Sequence, residues 1–155
     1  MEISKAKVLI TGGSSGIGYE TARLLRSQGA EVVICGRNEE SILKAAKELD
    51  VHGFKADVAN EADVQALFDF TLKTLGGLNV LINNAGIGYF APLVSTSMDE
   101  FQSIWDVNVK GLVLCGQAAA RHFVAENTGN IINISSSAGL KGFANGTAYV
   151  ATKFA

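Results

Sequence analysis

Residues Thr11 to Gly18 read Thr-Gly-Gly-Ser-Ser-Gly-Ile-Gly and join an apolar run, Val8-Leu9-Ile10, to a segment with helical spacing at Ile17, Thr21, Leu24 and Leu25. A strand, a glycine loop and a helix in immediate succession leave few folds open. Gly12 permits a tight exit from the strand, Gly16 lets a ligand approach the backbone, and Gly18 lets the helix lie close on the sheet. The N–H groups of the helix's first turn have no intrahelical partner and sit at the positive end of its dipole. A dianionic pyrophosphate can therefore bind there without a lysine. Gly12, Ser14, Ser15, Gly16, Ile17 and Gly18 are the candidate phosphate-binding residues. The spacing Gly12-x-x-x-Gly16-x-Gly18 lacks the Lys-Ser/Thr ending of a P-loop, which disfavours a nucleoside triphosphatase and points to a dinucleotide.

The rest of the chain repeats the strand–helix alternation. Glu31 to Cys35 reads as a fully buried parallel strand, followed by a helix capped by Asn38 with an inner face of Ile42, Leu43, Ala46 and Leu49. Gly53 to Ala56 is a third strand ending at Asp57-Val58. Asn60 opens a helix with an apolar stripe of Val64, Leu67, Phe68 and Leu72, and Gly76-Gly77 ends it. Leu78 to Ile82 is the fourth strand. Met98 to Glu126 has helical spacing in two pieces, and Asn130 to Ser135 is the fifth strand. Five strands alternating with helices predict an α/β fold with a doubly wound parallel sheet of Rossmann type and strand order 3-2-1-4-5. Ligands of such a sheet bind beyond the carboxyl ends of the strands, where Thr11, Cys35, Asp57, Asn84 and Ser136 all fall.

With 155 residues, 48% of them hydrophobic, residues 1–155 suffice for one domain with a substantial core. A net charge of -2 with dispersed Lys and Arg argues against nucleic acid and anionic lipid as partners. The start, Met1 to Lys5, has neither the long apolar stretch of a membrane span nor a signal peptide, so a cytoplasmic location is expected. Cys35 and Cys115 make no C-x-x-C pair and read as buried small hydrophobes. His52 and His122 have no partner spacing, so no metal site is expected.

Chemistry enters after the fifth strand. Ser135-Ser136-Ser137 places three hydroxyls on the rim, and Tyr149 and Lys153, at i and i+4, share one face of the next helix. A cation beside a phenol favours the phenolate, which suits proton exchange near neutral pH. Taken together, Thr11-Gly12-x-x-x-Gly16-x-Gly18, Asp57, Asn83-Asn84-Ala85-Gly86, Asn108, Ser136 and Tyr149-x-x-x-Lys153 resemble the short-chain dehydrogenase/reductase family over the whole chain. The resemblance implies an oxidoreductase that transfers a hydride between a nicotinamide dinucleotide and a small carbonyl or alcohol substrate. Tyr149 would be the general acid or base, and Ser136 would hydrogen-bond the carbonyl. Lys153 would promote the phenolate and bind the nicotinamide ribose, and Asn108 would help to hold a water in the proton relay. Asp57, with Val58 beside it, would meet the adenine, and Asn84 would lie near the adenosine ribose. For Thr11 and Asn83, braces within the sheet are the expected roles.

After the second strand stand Gly36 and Arg37 where an NAD enzyme carries a carboxylate. A guanidinium without a repelling carboxylate favours NADP over NAD. The family also carries two further strands and a substrate-binding loop after the tyrosine helix, and it assembles as dimers or tetramers. The chain is accordingly expected to stop before the last two strands. Residues from about Ala138 onward are expected to be poorly fixed or held only by a neighbour, because the last helix is too short to stand alone. A catalytically silent dinucleotide-binding fragment is the alternative to an active enzyme. Tyr89, Phe90, Leu140 and Phe143 hint at an apolar substrate, with a packing role as the other reading.

Overall fold

β1 (Lys7–Thr11) is the middle strand of a five-stranded parallel sheet in the order β3-β2-β1-β4-β5. The computed structural model describes residues 2–155; Met1 lies outside the described residues. The remaining strands are β2 (Glu31–Gly36), β3 (His52–Lys55), β4 (Val80–Asn83) and β5 (Asn130–Asn133). Between them run α1 (Gly16–Ser27), α2 (Glu39–Leu49), α3 (Glu61–Leu75), α4 (Met98–Trp105) and α5 (Leu112–Glu126), and α6 (Thr147–Phe154) follows β5. In β1 the side chains alternate between two cores. Val8 and Ile10 pack with Val32, Ile34, Ile42 and Ile82, while Leu9 packs with Val33, Leu67, Leu81 and Cys115. Strands covered on both faces read as unbroken apolar runs, which is why the central three were visible in the sequence.

The helix starts and stops follow local chemistry. Asn38, Asn60 and Ser97 accept hydrogen bonds from the backbone N–H groups of Ser41, Asp63 and Glu100, capping α2, α3 and α4. The fourth strand begins two residues later than expected, at Val80, although the Asn79 N–H still donates to the Lys7 carbonyl at 2.8 Å. β5 ends at Asn133, two residues short of the expected Ser135.

One inner-face assignment, Leu43, changes. Ile17 and Leu24 of α1 and Leu43 of α2 face outward. The small residues Gly18 and Ala22 form the buried face of α1, and at Gly18 a larger side chain would run into the Gly12 carbonyl and the Asn84 amide. In α2 the buried set is Ile42, Ala45, Ala46 and Leu49, a strict helical stripe that excludes Leu43.

The expected two-piece helix from Met98 to Glu126 is one continuous rod in which Asp106–Gly111 widens into a π-helical turn. That turn carries Asn108. Gly111 lies so close to Val58 that an added Cβ would stand 2.7 Å from the valine's methyl, which seats the helix against the rim of the sheet. α6 is formed and docked, contrary to the expectation for residues after Ala138. Thr152 on α6 accepts from Asn108 at 3.0 Å, and the Lys153 ammonium donates to the Ile134 carbonyl at 3.0 Å. These long-range contacts supply what a helix of two turns cannot supply for itself.

Candidate active site

The loop after β1 is held rigid by its neighbour strand. The Thr11 hydroxyl accepts from the backbone N–H groups of Asn84 (3.1 Å) and Ala85 (3.0 Å), and the Asn84 amide donates to the carbonyls of Thr11 (2.9 Å) and Gly12 (3.0 Å). Thr11 is thus the brace between β1 and β4 that its position suggested. Asn83 braces the other side, donating to Asn133 Oδ1 at 2.9 Å. Asn84 lines the cleft while its amide secures the loop.

Each glycine of the loop has a separate geometric reason. Gly12 has φ +69°, and an added Cβ would stand 2.8 Å from the Ala85 backbone. At Gly18 a Cβ would collide with the Gly12 carbonyl and the Asn84 amide, so this glycine packs helix against loop as well as against the sheet. At Gly16 (φ +58°) a Cβ would meet nothing within 4 Å. Its constraint is backbone conformation, and the space above it is open. Gly13 was missed in the sequence: it is buried, and a Cβ there would press on Ile34 at 2.5 Å.

α1 differs from the three helices capped by side chains. Ser15 stands at its N-cap position in an extended conformation, yet its hydroxyl accepts no bond from the helix. The first-turn N–H groups open on a cleft of about 450 Å³ between the carboxyl ends of β1, β2 and β4. Gly12, Ser14, Ser15, Ile17, Arg37, Asp57, Val58 and Asn84 line it, as do Gly86 and Ile87. Gly16 and Gly18 are not among its lining residues; Gly16 stands between Ser15 and Ile17, which are, and Gly18 is buried. Asp57 is half-buried; one carboxylate oxygen accepts from the Ala59 N–H at 3.0 Å, and its own N–H donates to Asp63 at 2.9 Å. Arg37 is exposed at the rim and belongs to no ion pair among the described residues.

Cys35 lies at the floor of the cleft and Cys115 beneath the sheet, both as free buried thiols. Burial pushes each thiol up to about 12, with Cys115 adding to the effect on Cys35 and a backbone hydrogen bond from Gly12 opposing it. At neutral pH both act as the small hydrophobes read from the sequence. Among the described residues no cluster of His, Cys, Asp and Glu could hold a metal ion, and no helix is long and apolar enough to cross a membrane.

The second half of the site meets the cleft at Gly86. A Cβ there would stand 3.4 Å from Asn108 Oδ1 and 3.9 Å from the Lys153 ammonium. Lys153 lies over the Tyr149 ring, 5.8 Å from its centroid, so the expected i, i+4 adjacency is realised. Buried Asn108 accepts from the Ile87 N–H (2.9 Å) and donates to the Ile87 carbonyl and the Thr152 hydroxyl (both 3.0 Å). Thr152 in turn donates to the Tyr149 carbonyl at 2.8 Å. Thr152 was not singled out from the sequence; its signal is a hydroxyl one turn after Tyr149 on an otherwise apolar helix face. Ser136 is half-buried, whereas Ser135 and Ser137 are exposed. Its Oγ accepts from the Ala138 N–H at 3.1 Å, and no acceptor among the described residues takes its hydrogen.

A sequence model described as short chain dehydrogenase matches residues 6–155. The chain belongs to the short chain dehydrogenase family. It is 37% identical over 150 residues to an uncharacterised oxidoreductase of Staphylococcus aureus, covering 95% of this chain and 65% of that protein. An uncharacterised oxidoreductase of Listeria monocytogenes is 35% identical over 160 residues, covering all of this chain and 64% of its own length. The chain therefore spans just under two thirds of the curated relatives it matches. Among solved structures, a gluconate 5-dehydrogenase from Burkholderia cenocepacia in complex with NADP and tartrate superposes with a TM-score of 0.90 at 36% identity, over 96% of this chain and 60% of that one. An NAD+-bound xylitol dehydrogenase gives 0.89 at 32% identity, over 97% of this chain and 60% of that one. A short chain dehydrogenase from Mycobacterium smegmatis gives 0.94 at 30% identity, covering 99% and 68%.

Proposed function

We propose that residues 1–155 form a dinucleotide-binding domain that, in the working enzyme, transfers a hydride between NADP(H) and a carbonyl/alcohol pair, with Tyr149 as general acid or base. The observation that carries this reading is the uncapped start of α1, opening on a cleft that runs to Gly86 beside Lys153. A pyrophosphate fits there because Gly16 leaves open space and unpaired N–H groups face it. Ser14 and Ser15 add hydroxyls to that cradle. Asp57 and Val58 border the adenine end of the cleft, and Asn84 keeps the ribose side of the loop in place. When bound, the nicotinamide supplies the hydride.

The chain's own residues manage the oxygen. Tyr149 gives its phenolic proton to the substrate oxygen as the carbonyl carbon gains the hydride. Ser136 donates its free hydrogen to the same oxygen, stabilising the charge that develops there. The resulting phenolate lies beside the Lys153 ammonium and regains a proton from solvent. Asn108, through Thr152, fixes the turn of helix that carries Tyr149, and in doing so serves the proton relay. Each turnover consumes one proton and one hydride and converts a carbonyl to an alcohol; the reverse direction returns both. Neighbours named as dehydrogenases of gluconate and xylitol support an alcohol and its carbonyl compound as the reacting pair.

The structural neighbours include both NADP and NAD+ complexes, so the choice of cofactor rests on Gly36 and Arg37. Arg37 is free to receive a 2′-phosphate. A Cβ on Gly36 would have only ordinary contacts, 3.6 Å from Ile42 and 3.7 Å from Ser14, so a carboxylate can be introduced there without a clash. Exposed Val113 and Val124 on α5 suit a homo-oligomer. Fluorescence titration tests the assignment. NADPH should bind more tightly than NADH, Arg37→Ala should erase the difference, and Gly36→Asp should reverse it. Equal affinities that neither substitution changes would refute it.

A further inference from the structure

Two loops on the open side of Tyr149 hold aromatic rings that neither core accounts for. Phe90, in the loop after β4, is 59% exposed, and Phe143, in the loop before α6, is 50% exposed. The Phe90 ring centroid lies 5.5 Å from that of Tyr149 and 6.1 Å from that of Phe143, both within the range of attractive aromatic pairs. The rings are held in position. The Ala91 N–H donates to the Asn145 carbonyl at 2.9 Å, tying one loop to the other. A Cβ at Gly88 would stand 2.9 Å from the Phe90 ring, and one at Gly146 would collide with the Phe143 ring. Each ring is therefore folded back over a glycine of its own loop, and Leu140, in the same loop as Phe143, is exposed.

We infer that Phe90 and Phe143, with the Tyr149 ring, form the binding surface for the apolar part of the substrate. The substrate class is then a ketone or aldehyde bearing an aryl or bulky alkyl group, and not a polyhydroxylated one. The inference rests on the oxidoreductase reading for Tyr149. Its independent support is the company the rings keep. From Asn84 to Ser97 the first loop contains no charged residue, and from Ala138 to Gly146 the second contains only Lys141. Neither loop carries a carboxylate or an arginine to bind a row of hydroxyls. The polar groups beside the rings, the Tyr149 hydroxyl and the Lys153 ammonium, suffice for a single carbonyl oxygen. An exposed apolar surface beside a proton donor is kept where a ligand covers it.

The test is binding in the presence of NADP+, which cannot reduce a ketone, so that acetophenone titrates without turnover. Acetophenone should bind about tenfold more tightly than fructose, taken as a polyhydroxy ketone. Phe90→Ala and Phe143→Ala should each weaken acetophenone about tenfold while leaving NADP+ affinity within about twofold. Phe90→Leu, which keeps bulk but removes the ring, should be intermediate and guards against loss of the loop. Unchanged acetophenone affinity in Phe90→Ala, or tighter binding of fructose, would overturn the inference. Repeating the titration without nucleotide separates the two readings. Failure of NADP+ to bind would sink the cofactor assignment, while the effect of the phenylalanine substitutions on acetophenone would still decide the aromatic surface.

Discussion

β4 is buried at every residue and β5 at none, and the two strands carry different halves of the site. At the end of β4, the Asn84 amide and the Thr11 hydroxyl lock a glycine loop whose working groups are backbone N–H donors. Beyond β5, the working groups are the side chains of Ser136, Tyr149 and Lys153, positioned by a few contacts from distant elements. The first half is built to bind and its precision is local. The second is built to move a proton and its precision is borrowed from the π-helical turn at Asn108. Substitutions in the first half should therefore reduce nucleotide affinity, and those at Tyr149 and Ser136 in the second should reduce turnover alone, while Lys153, the expected ribose ligand, should affect both.

The sharpest separation is expected from Tyr149→Phe. Loss of the proton donor should lower turnover in the working enzyme by about a thousandfold, with NADPH affinity unchanged within about twofold, as read by steady-state kinetics and calorimetric titration. Substantial turnover in this variant would remove Tyr149 from its role.

The glycines come next. Gly18→Ala drives a methyl into the Gly12 carbonyl and the Asn84 amide and should cost about 1–3 kcal/mol of stability together with nucleotide binding. Gly16→Ala meets no atom but holds φ +58°, so it should cost about 1–2 kcal/mol and still weaken NADPH about tenfold or more, because the methyl occupies the phosphate's approach. Thermal unfolding and titration of both variants check the order. Full NADPH affinity in Gly16→Ala would contradict the loop's assigned use.

The smallest effect is expected at Thr152. Thr152→Val keeps the shape but removes the link from Asn108 to the Tyr149 carbonyl. Turnover should fall about tenfold with NADPH affinity intact, and Thr152→Ser should restore it. If Thr152→Val instead weakened NADPH and left turnover unchanged, the division between the two halves would fail.

The same division explains what could be read in advance. Strand order, the glycine loop and the caps at Asn38 and Asn60 depend on short-range patterns: apolar runs, glycine spacing, and Asn before a helix. The burial of Ala22, with Ile17 and Leu24 facing outward, was not legible, because helical spacing alone does not say which face of a helix meets the sheet. Thr152 and the π-helical turn were missed for a related reason. A hydroxyl in an apolar helix acquires its purpose only from Asn108, 44 positions away in the chain. The docking of α6 likewise comes from contacts with Asn108 and Ile134, which no local propensity contains.

The central claim is that the uncapped start of α1 binds the dinucleotide's pyrophosphate, and amide chemical shifts during an NADPH titration test it most directly. The N–H resonances of Ile17 and Gly18 should move strongly and saturate together, while those of Ser41, Asp63 and Glu100, already occupied by helix caps, should stay nearly still. Saturable shifts confined to other surfaces, with Ile17 and Gly18 unmoved, would contradict the account.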